Sequence, residues 1–360
     1  MTDQNEAVRV GVVGLGGMGT THARIMNELG ASIAAGTDVQ PDARDSFAEE
    51  YGARGYADHD SMLAEEALDA VVVTVPNAFH EPAVTAALEA DVPVLVEKPL
   101  ADSLEAAERI AAAEAASDAF GMIGLNNTFC PAAEQFVTLD EAGRFGDIAQ
   151  IETTYLRRRG IPDRESWFTT AELSGGGALI DIGVHALDFA LFLLGYPAVE
   201  RVTGVTRRDF GKRRAYADPD GWTGGKSGDD PTFDVDDSAT ALITCENGTT
   251  IRLDVAWAVN REPTRGVMVR GTDAGAQLSL GGDELAINDA GVETHDHYLD
   301  CTYDLRAEQS SKHAQDALFL QRVRRGDPPE RNTIEQGLQV QAVLDAIYRS
   351  AAEESKSVAV

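Results

Sequence analysis

Three groups of residues in this 360-residue chain have types and spacings suited to chemistry. The first is the run Gly14-Leu15-Gly16-Gly17-Met18-Gly19, between a β-branched stretch, Val8–Val13, and an amphipathic stretch, Met18–Leu29. Gly14 allows a tight turn, Gly16 lets a backbone approach a pyrophosphate, and Gly19 lets strand and helix pack closely. The N–H groups at Gly17 and Met18 would then face the phosphates from a helix N-terminus. Asp38 follows nineteen positions after Gly19, at the end of the next apolar stretch, where a carboxylate accepts from ribose hydroxyls and repels a 2′-phosphate. This pattern predicts a dinucleotide site that favours NAD. NADP stays open because Arg44 lies close by in sequence.

The second group is Glu97-Lys98-Pro99, directly after the strand-like Val94–Val96. Open α/β sheets bind their ligands at such carboxyl edges. Lys98 is one of five lysines in the chain, so an ammonium at this edge suggests a requirement; the alternative is a surface lysine at a strand end. The third is Asp181-Ile182-Gly183-Val184-His185, early in an apolar stretch that follows Gly175-Gly176-Gly177. Four positions apart on a helix, a carboxylate and an imidazole share a face, as general acid/base work requires. A metal pair or a satisfied core histidine would compete. No HExxH pattern or Cys/His cluster surrounds the pair, so no metal site is expected.

These residues need elements to hold them. From Val8 to Leu125, short apolar runs alternate with alanine-rich amphipathic stretches, predicting strands at Ser32–Thr37, Ala70–Val75, Val94–Val96 and Gly121–Leu125. Strand and helix in turn imply a doubly wound parallel sheet. Beyond Pro131 come a glycine turn, an apolar helix at Leu179–Leu194 and strand-like runs from Val199 to Leu280, then two helices near 309–325 and 333–351. The expected organisation is a Rossmann domain over residues 1–126. An α+β domain with an open-faced, mostly antiparallel sheet would cover residues 127–360. Asp209–Asp234 reads as a long surface loop.

Composition narrows the partners. Sixty acidic residues against thirty basic ones give a net charge of −30, which disfavours nucleic acid and anionic membranes. Carboxylates spread along the chain suit a high-salt cytoplasm, where the Debye length is about 3 Å in molar salt; an acidic mesophilic protein is the alternative. Cys130, Cys245 and Cys301 are widely spaced and read as free thiols. The N-terminal MTDQNEAVRV lacks a basic-then-apolar leader and no apolar run approaches a membrane span, so a cytoplasmic location is expected.

Taken together, Gly14–Gly19, Thr74-Val75-Pro76-Asn77 with His80, Glu97-Lys98-Pro99, and Gly175-Gly176-Gly177 leading to Asp181, His185 and Asp188 resemble the successive motifs of the glucose-fructose oxidoreductase/inositol dehydrogenase/MocA (Gfo/Idh/MocA) family. The resemblance runs from Val8 to Asp188, and more loosely through Asp234-Val235-Asp236-Asp237. It implies cofactor contacts at Thr74, Pro76, Asn77, His80, Glu97, Lys98 and Asn126, and a Lys98-Pro99 bond that is often cis. It also implies a catalytic set of Lys98, Asp181 and His185, acting on a sugar or polyol in a homodimer or homotetramer. One departure is Thr128, within Asn126-Asn127-Thr128-Phe129, where the family pattern has an arginine.

Substrate side chains are less defined. Arg157 and Arg159 would share one face of a strand end and suit an anion or sugar, or else an ion-pair network or subunit contact. Trp167 would stack on a sugar ring or belong to the core. Arg207–Arg214 with Trp222 would form a lid or a subunit contact. The reading is an NAD(P)-dependent oxidoreductase that moves a hydride between a secondary alcohol and nicotinamide. A lyase or glycosidase using transient oxidation and a nucleotide-sensing regulator are the alternatives.

Overall fold

The computed structural model describes residues 7–164, 166–222, 233–292 and 295–360. The chain divides into two compact units, Met1–Leu125 with Lys312–Gln341, and Asn126–Ser311 with Ala342–Val360. Against the expected boundary at 126/127, the first unit ends one residue earlier, at Leu125. Of the C-terminal segment assigned to the second domain, Lys312–Gln341 clusters with the first unit.

The first unit runs β1 (Arg9–Val13), α1 (Gly17–Glu28), β2 (Ser32–Thr37), α2 (Pro41–Tyr51), β3 (Arg54–Tyr56), α3 (His59–Glu65), β4 (Ala70–Val73), α4 (His80–Glu89), β5 (Val94–Glu97), α5 (Leu104–Ala115) and β6 (Gly121–Gly124). Its six strands are parallel in the order β3-β2-β1-β4-β5-β6. All four residues of β4, β5 and β6 are buried, which is why these strands read as continuous apolar runs. The order reverses between β1 and β4, so the loops after these two strands open the crevice where such sheets bind ligands.

The second unit begins with α6 (Pro131–Glu141), β7 (Ile148–Leu156) and α7 (Ala171–Ser174). A π-turn at Leu179–Gly183 leads directly into α8 (Val184–Leu193). There follow β8 (Val199–Arg207), β9 (Ser238–Cys245), β10 (Thr250–Ala256), β11 (Thr264–Gly271), β12 (Ala274–Ser279), β13 (Glu284–Gly291) and β14 (His297–Asp304). After α9 (Ser311–Arg325) and α10 (Ile334–Ala352), β15 (Val358–Ala359) adds an edge. The sheet order is β14-β13-β12-β11-β7-β10-β9-β8-β15, antiparallel except for the β7–β10 pair.

One face of this sheet is covered: Thr153 is buried and donates to the Ala186 carbonyl of α8 at 3.2 Å. The other face carries a cross-strand row, Leu242–Arg252–Glu152–Met268–Gln277, with Leu242 and Met268 exposed. Ala171–Leu193 is apolar enough to suggest a membrane span, with mean hydropathy 1.6, but 83% of the window lies buried inside the fold as core. Of the expected Asp209–Asp234 loop, residues 223–232 lie outside the described residues, and the described part forms no helix or strand. Six residues of the MTDQNEAVRV terminus also lie outside them.

Candidate active site

The glycine loop takes the shape its sequence demands. Gly14 has φ +90°, and a Cβ there would press on the Thr74 backbone at 3.0 Å. A Cβ at Gly19 would run into the Gly14 carbonyl oxygen, so this glycine permits the close approach of α1 to β1. Over Gly16 and Gly17 there is open space, and Gly16 caps α1 without a side chain. The first-turn N–H groups of α1, beside the half-exposed Met18, are thus free to receive an anion.

Asp38, just past β2, accepts from the N–H of Leu15 (2.9 Å) and of Gln40 (2.8 Å), which fixes the carboxylate against the glycine loop. Arg44 Nη1 donates to the Asp38 carbonyl at 2.6 Å, so its guanidinium is already engaged. Thr74 Oγ1 donates to the Gly14 carbonyl at 2.7 Å. Pro76 precedes a short 3₁₀ turn, Asn77–Phe79, in which Asn77 is buried. His80 is buried between two carbonyls, with Nδ1 2.8 Å from Pro99 O and Nε2 2.9 Å from Val75 O, and burial holds its pKa down. It thereby ties the loop after β4 to the loop after β5. These residues fit a dinucleotide: an open helix N-terminus for phosphates, a carboxylate for ribose, and two loops held at the switch point.

Glu97 and Lys98 end β5, and the Lys98-Pro99 bond is cis. Around Glu97 lies a network that no local pattern announces. Lys312 Nζ donates to Glu97 Oε1 at 2.7 Å, and His22 Nε2 lies 3.1 Å from the same oxygen. His22 Nδ1 lies 2.8 Å from Asp316 Oδ2, and the Lys98 N–H donates to Glu97 Oε2 at 3.1 Å. His22 and Asp316 are fully buried. Burial pushes the Glu97 carboxyl up, but the Lys312 ammonium and His22 outweigh it and hold the carboxyl well below its usual range. Burial pulls His22 down, and its hydrogen bonds to Asp316 and Glu97 reverse that, so its pKa is raised. Lys312 and Asp316 come from α9, and this pairing accounts for α9 joining the first unit.

In the second unit, Asp181 lies in the π-turn and His185 in the first turn of α8, where an unbroken α-helix was expected. Such insertions are frequent at functional sites. The fully buried Trp257 donates its Nε1–H to Asp181 Oδ2 at 2.9 Å, and Arg157 Nη1 stands 3.8 Å from the same oxygen. Of the three glycines before this turn, Gly175 caps α7 in the left-handed region at φ +75° and the other two serve packing. A Cβ at Gly177 would strike the Asp236 carbonyl, and one at Gly176 the Tyr348 hydroxyl. The Asp236 carboxylate accepts from the N–H of Gly177 (2.8 Å) and Leu179 (2.9 Å) and from Tyr348 Oη (2.8 Å), so the start of the π-turn is pinned from β9's approach. Asp188 accepts from Tyr196 Oη at 2.6 Å.

The remaining candidates separate. Asn126 opens a 3₁₀ turn, Asn126–Phe129, at the start of the second unit. Arg159 donates to the Arg158 and Val259 carbonyls and to Asn260 Oδ1, and its guanidinium lies over Phe210 and Tyr216. Trp167 stacks on Phe168, with ring centroids 3.8 Å apart, whereas Trp222 is the indole that meets Arg157, at 4.9 Å. Arg265 of β11, which the sequence reading passed over, donates to Asn127 Oδ1 at 3.0 Å. A guanidinium therefore stands beside the segment where Thr128 replaces the expected arginine. All three cysteines are free, and among the described residues no group of three or more His, Cys, Asp or Glu side chains could hold a metal ion.

Comparison with known proteins gives this geometry a family. Residues 8–125 match the oxidoreductase family model with an NAD-binding Rossmann fold, and residues 136–277 match the GFO/IDH/MocA C-terminal domain. The chain is 32% identical over 263 residues to a putative UDP-kanosamine synthase oxidoreductase subunit of Amycolatopsis mediterranei, covering 70% of this chain and 69% of that one. It is 29% identical over 359 residues to the D-glucoside 3-dehydrogenase of Escherichia coli, covering 96% and 95%. The structure of a levoglucosan dehydrogenase in complex with NADH shares the fold, with a TM-score of 0.85, 23% identity and 99% of each chain covered. The glycine loop and Asp38 lie on an NAD-binding Rossmann domain, and the chain belongs to the GFO/IDH/MocA oxidoreductase family.

Proposed function

We propose that this protein is an NAD-dependent dehydrogenase that moves a hydride between a secondary alcohol of a sugar or polyol and nicotinamide. The observation that carries the reading is the cradle at the switch point. An open α1 N-terminus stands beside a carboxylate already oriented by the Leu15 and Gln40 N–H groups. Asp38 would repel a 2′-phosphate, and Arg44 is bonded to the Asp38 carbonyl, which supports NAD over NADP. The names of the Amycolatopsis and Escherichia relatives support a sugar as the substrate.

When bound, the nicotinamide accepts or returns the hydride. The chain's own residues handle the proton and the position of the alcohol. His185 takes the hydroxyl proton, Asp181 orients that imidazole and a neighbouring hydroxyl, and Lys98 hydrogen-bonds the reacting oxygen. Trp257 donates to the Asp181 carboxylate and fixes its orientation. Asn126, Thr74, Pro76, Asn77 and Glu97 support the cofactor, Glu97 by holding the Lys98 backbone. The test is turnover of His185→Ala and Lys98→Met with NADH binding measured in parallel. Loss of a proton-transferring group lowers turnover by about 10²–10⁴-fold. Wild-type turnover in both variants would refute these roles.

The same reading places the enzyme in a high-salt cytoplasm as a homodimer or homotetramer. The excess of sixty acidic over thirty basic residues supports the first, and the exposed Leu242 and Met268 on the uncovered sheet face support the second. Light scattering in molar KCl that returned a monomer would overturn the oligomer.

A further inference from the structure

The second unit holds a cluster of arginines that neither cofactor binding nor proton transfer uses. β7 and β11 pair so that Tyr155 lies opposite Arg265. Thr153, two residues before Tyr155, is buried beneath α8, so alternation puts Tyr155 and Arg265 on the helix-covered face. Arg265 Cζ lies 4.9 Å from the centre of the Tyr155 ring, and Arg157 Cζ lies 5.3 Å from it. Arg157 also lies 4.9 Å from the Trp222 ring and 3.8 Å from Asp181. Two guanidinium groups thus share one aromatic ring next to the carboxylate that orients the proposed base.

Arg157–Arg159 and Arg265 line a cleft of about 390 Å³, against Asp220 as the carboxylate in its wall. That volume suits a small ligand. In a chain with twice as many acidic as basic residues, four arginines lining a cleft with one carboxylate in its wall, and Asp181 and Glu262 beside it, form an electropositive exception. Arg159 is consumed by carbonyls and Asn260, Arg158 reaches toward Glu262 at 3.4 Å, and Arg157 spends one N–H on the Gly160 carbonyl at 3.2 Å with its other end 3.5 Å from the Tyr155 hydroxyl. Among the described residues no carboxylate pairs with Arg265. Guanidinium groups stacked on aromatic faces keep their N–H edges for planar, bidentate acceptors, and an anion bound by both relieves their mutual repulsion.

We propose that the substrate is an anionic sugar, whose carboxylate or phosphate group is held by Arg157 and Arg265. This rests on the dehydrogenase reading and adds a substrate class to it. The test is calorimetric titration of the full-length protein, with and without NADH, using D-glucose, D-glucuronate and D-glucose 6-phosphate, with NAD reduction followed in parallel. One of the two acids is expected to bind at least about 10–100-fold more tightly than glucose, the worth of a charged hydrogen-bonded pair. Which acid does so distinguishes a carboxylate from a phosphate. Arg265→Ala should remove most of that preference while leaving glucose within a few-fold, Arg157→Ala should weaken the acid more than glucose, and the lysine variants should restore part of the preference. Arg109→Ala, a surface ion-pair residue of the first unit, controls for net charge. Equal binding of glucose and both acids, or equal weakening of acid and glucose in the arginine variants, overturns the proposal. Acid binding without NAD reduction upholds the site and refutes the dehydrogenase; oxidation of glucose with no acid binding does the reverse.

Discussion

Replacing Lys312 by methionine removes the ammonium that stands 2.7 Å from Glu97 Oε1 while keeping most of the side-chain volume. The Glu97 side chain is 10% exposed and that of Lys312 is 18% exposed, so the pair is largely shielded from solvent and salt. Breaking a buried pair from one side costs about 3–5 kcal/mol. Glu97 keeps His22 and the Lys98 N–H, and Lys312 is partly hydrated, so the expected loss is nearer 2–3 kcal/mol. For a unit of this size that lowers Tm by roughly 4–12 °C. All three tryptophans, Trp167, Trp222 and Trp257, lie in the second unit, so their fluorescence follows the wrong half. NADH binding in urea at fixed salt reports the first, with far-UV circular dichroism following the whole chain. The pH dependence gives a second check. A depressed carboxyl contributes stability that is present above the unfolded pKa of about 4.5 and lost as pH falls through the folded value. Without Lys312 the largest lowering influence on Glu97 is gone, so acid unfolding should begin at higher pH. Adding Glu97→Gln should recover much of the loss. A Lys312→Met protein within about 0.5 kcal/mol of wild type, with an unmoved acid limb, would refute the network.

Other outcomes follow from the same geometry. The raised pKa of His22 means that its contribution is complete below about 6.5 and lost as pH rises through the folded value. The gap in Tm between wild type and His22→Gln should therefore narrow on the alkaline side, and a gap that widened there would contradict it. Trp257→Phe removes the indole N–H from Asp181, and turnover should fall about 10-fold or more with NADH affinity unchanged. Equal turnover would show that Asp181 needs no such donor. Asp38→Ala should lower kcat/KM with NAD and narrow its advantage over NADP, measured with both cofactors on one substrate; an unchanged ratio would place cofactor selection elsewhere.

The cofactor side was legible in the sequence because backbone geometry writes itself as glycine. The positive φ of Gly14 and the contact of Gly19 with the Gly14 carbonyl leave no other residue type. Asp38 was legible because its place at a strand end is fixed by the same turn. The His22–Asp316 pair was not, since 294 positions separate its members and neither has a local pattern. Gly175–Gly177 stood out in the sequence as a turn, but what Gly176 and Gly177 make room for, Tyr348 and Asp236, lies far along the chain. β14 was missed because it is an almost wholly exposed edge strand without apolar alternation, and the short β3 offered three residues. Trp167 was preferred to Trp222 by proximity in sequence, while the structure pairs Trp222 with Arg157. Arg265 was overlooked because its meaning depends on the pairing of β11 with β7.

The most direct measurement is NADH formation by the purified full-length enzyme in molar KCl, over a panel of aldoses, inositols and sugar acids offered with NAD and with NADP. Stoichiometric reduced cofactor is expected from at least one sugar or polyol, faster with NAD than with NADP, and abolished in His185→Ala protein that still binds NADH. A folded protein that binds NADH yet reduces no cofactor with any member of the panel would contradict it.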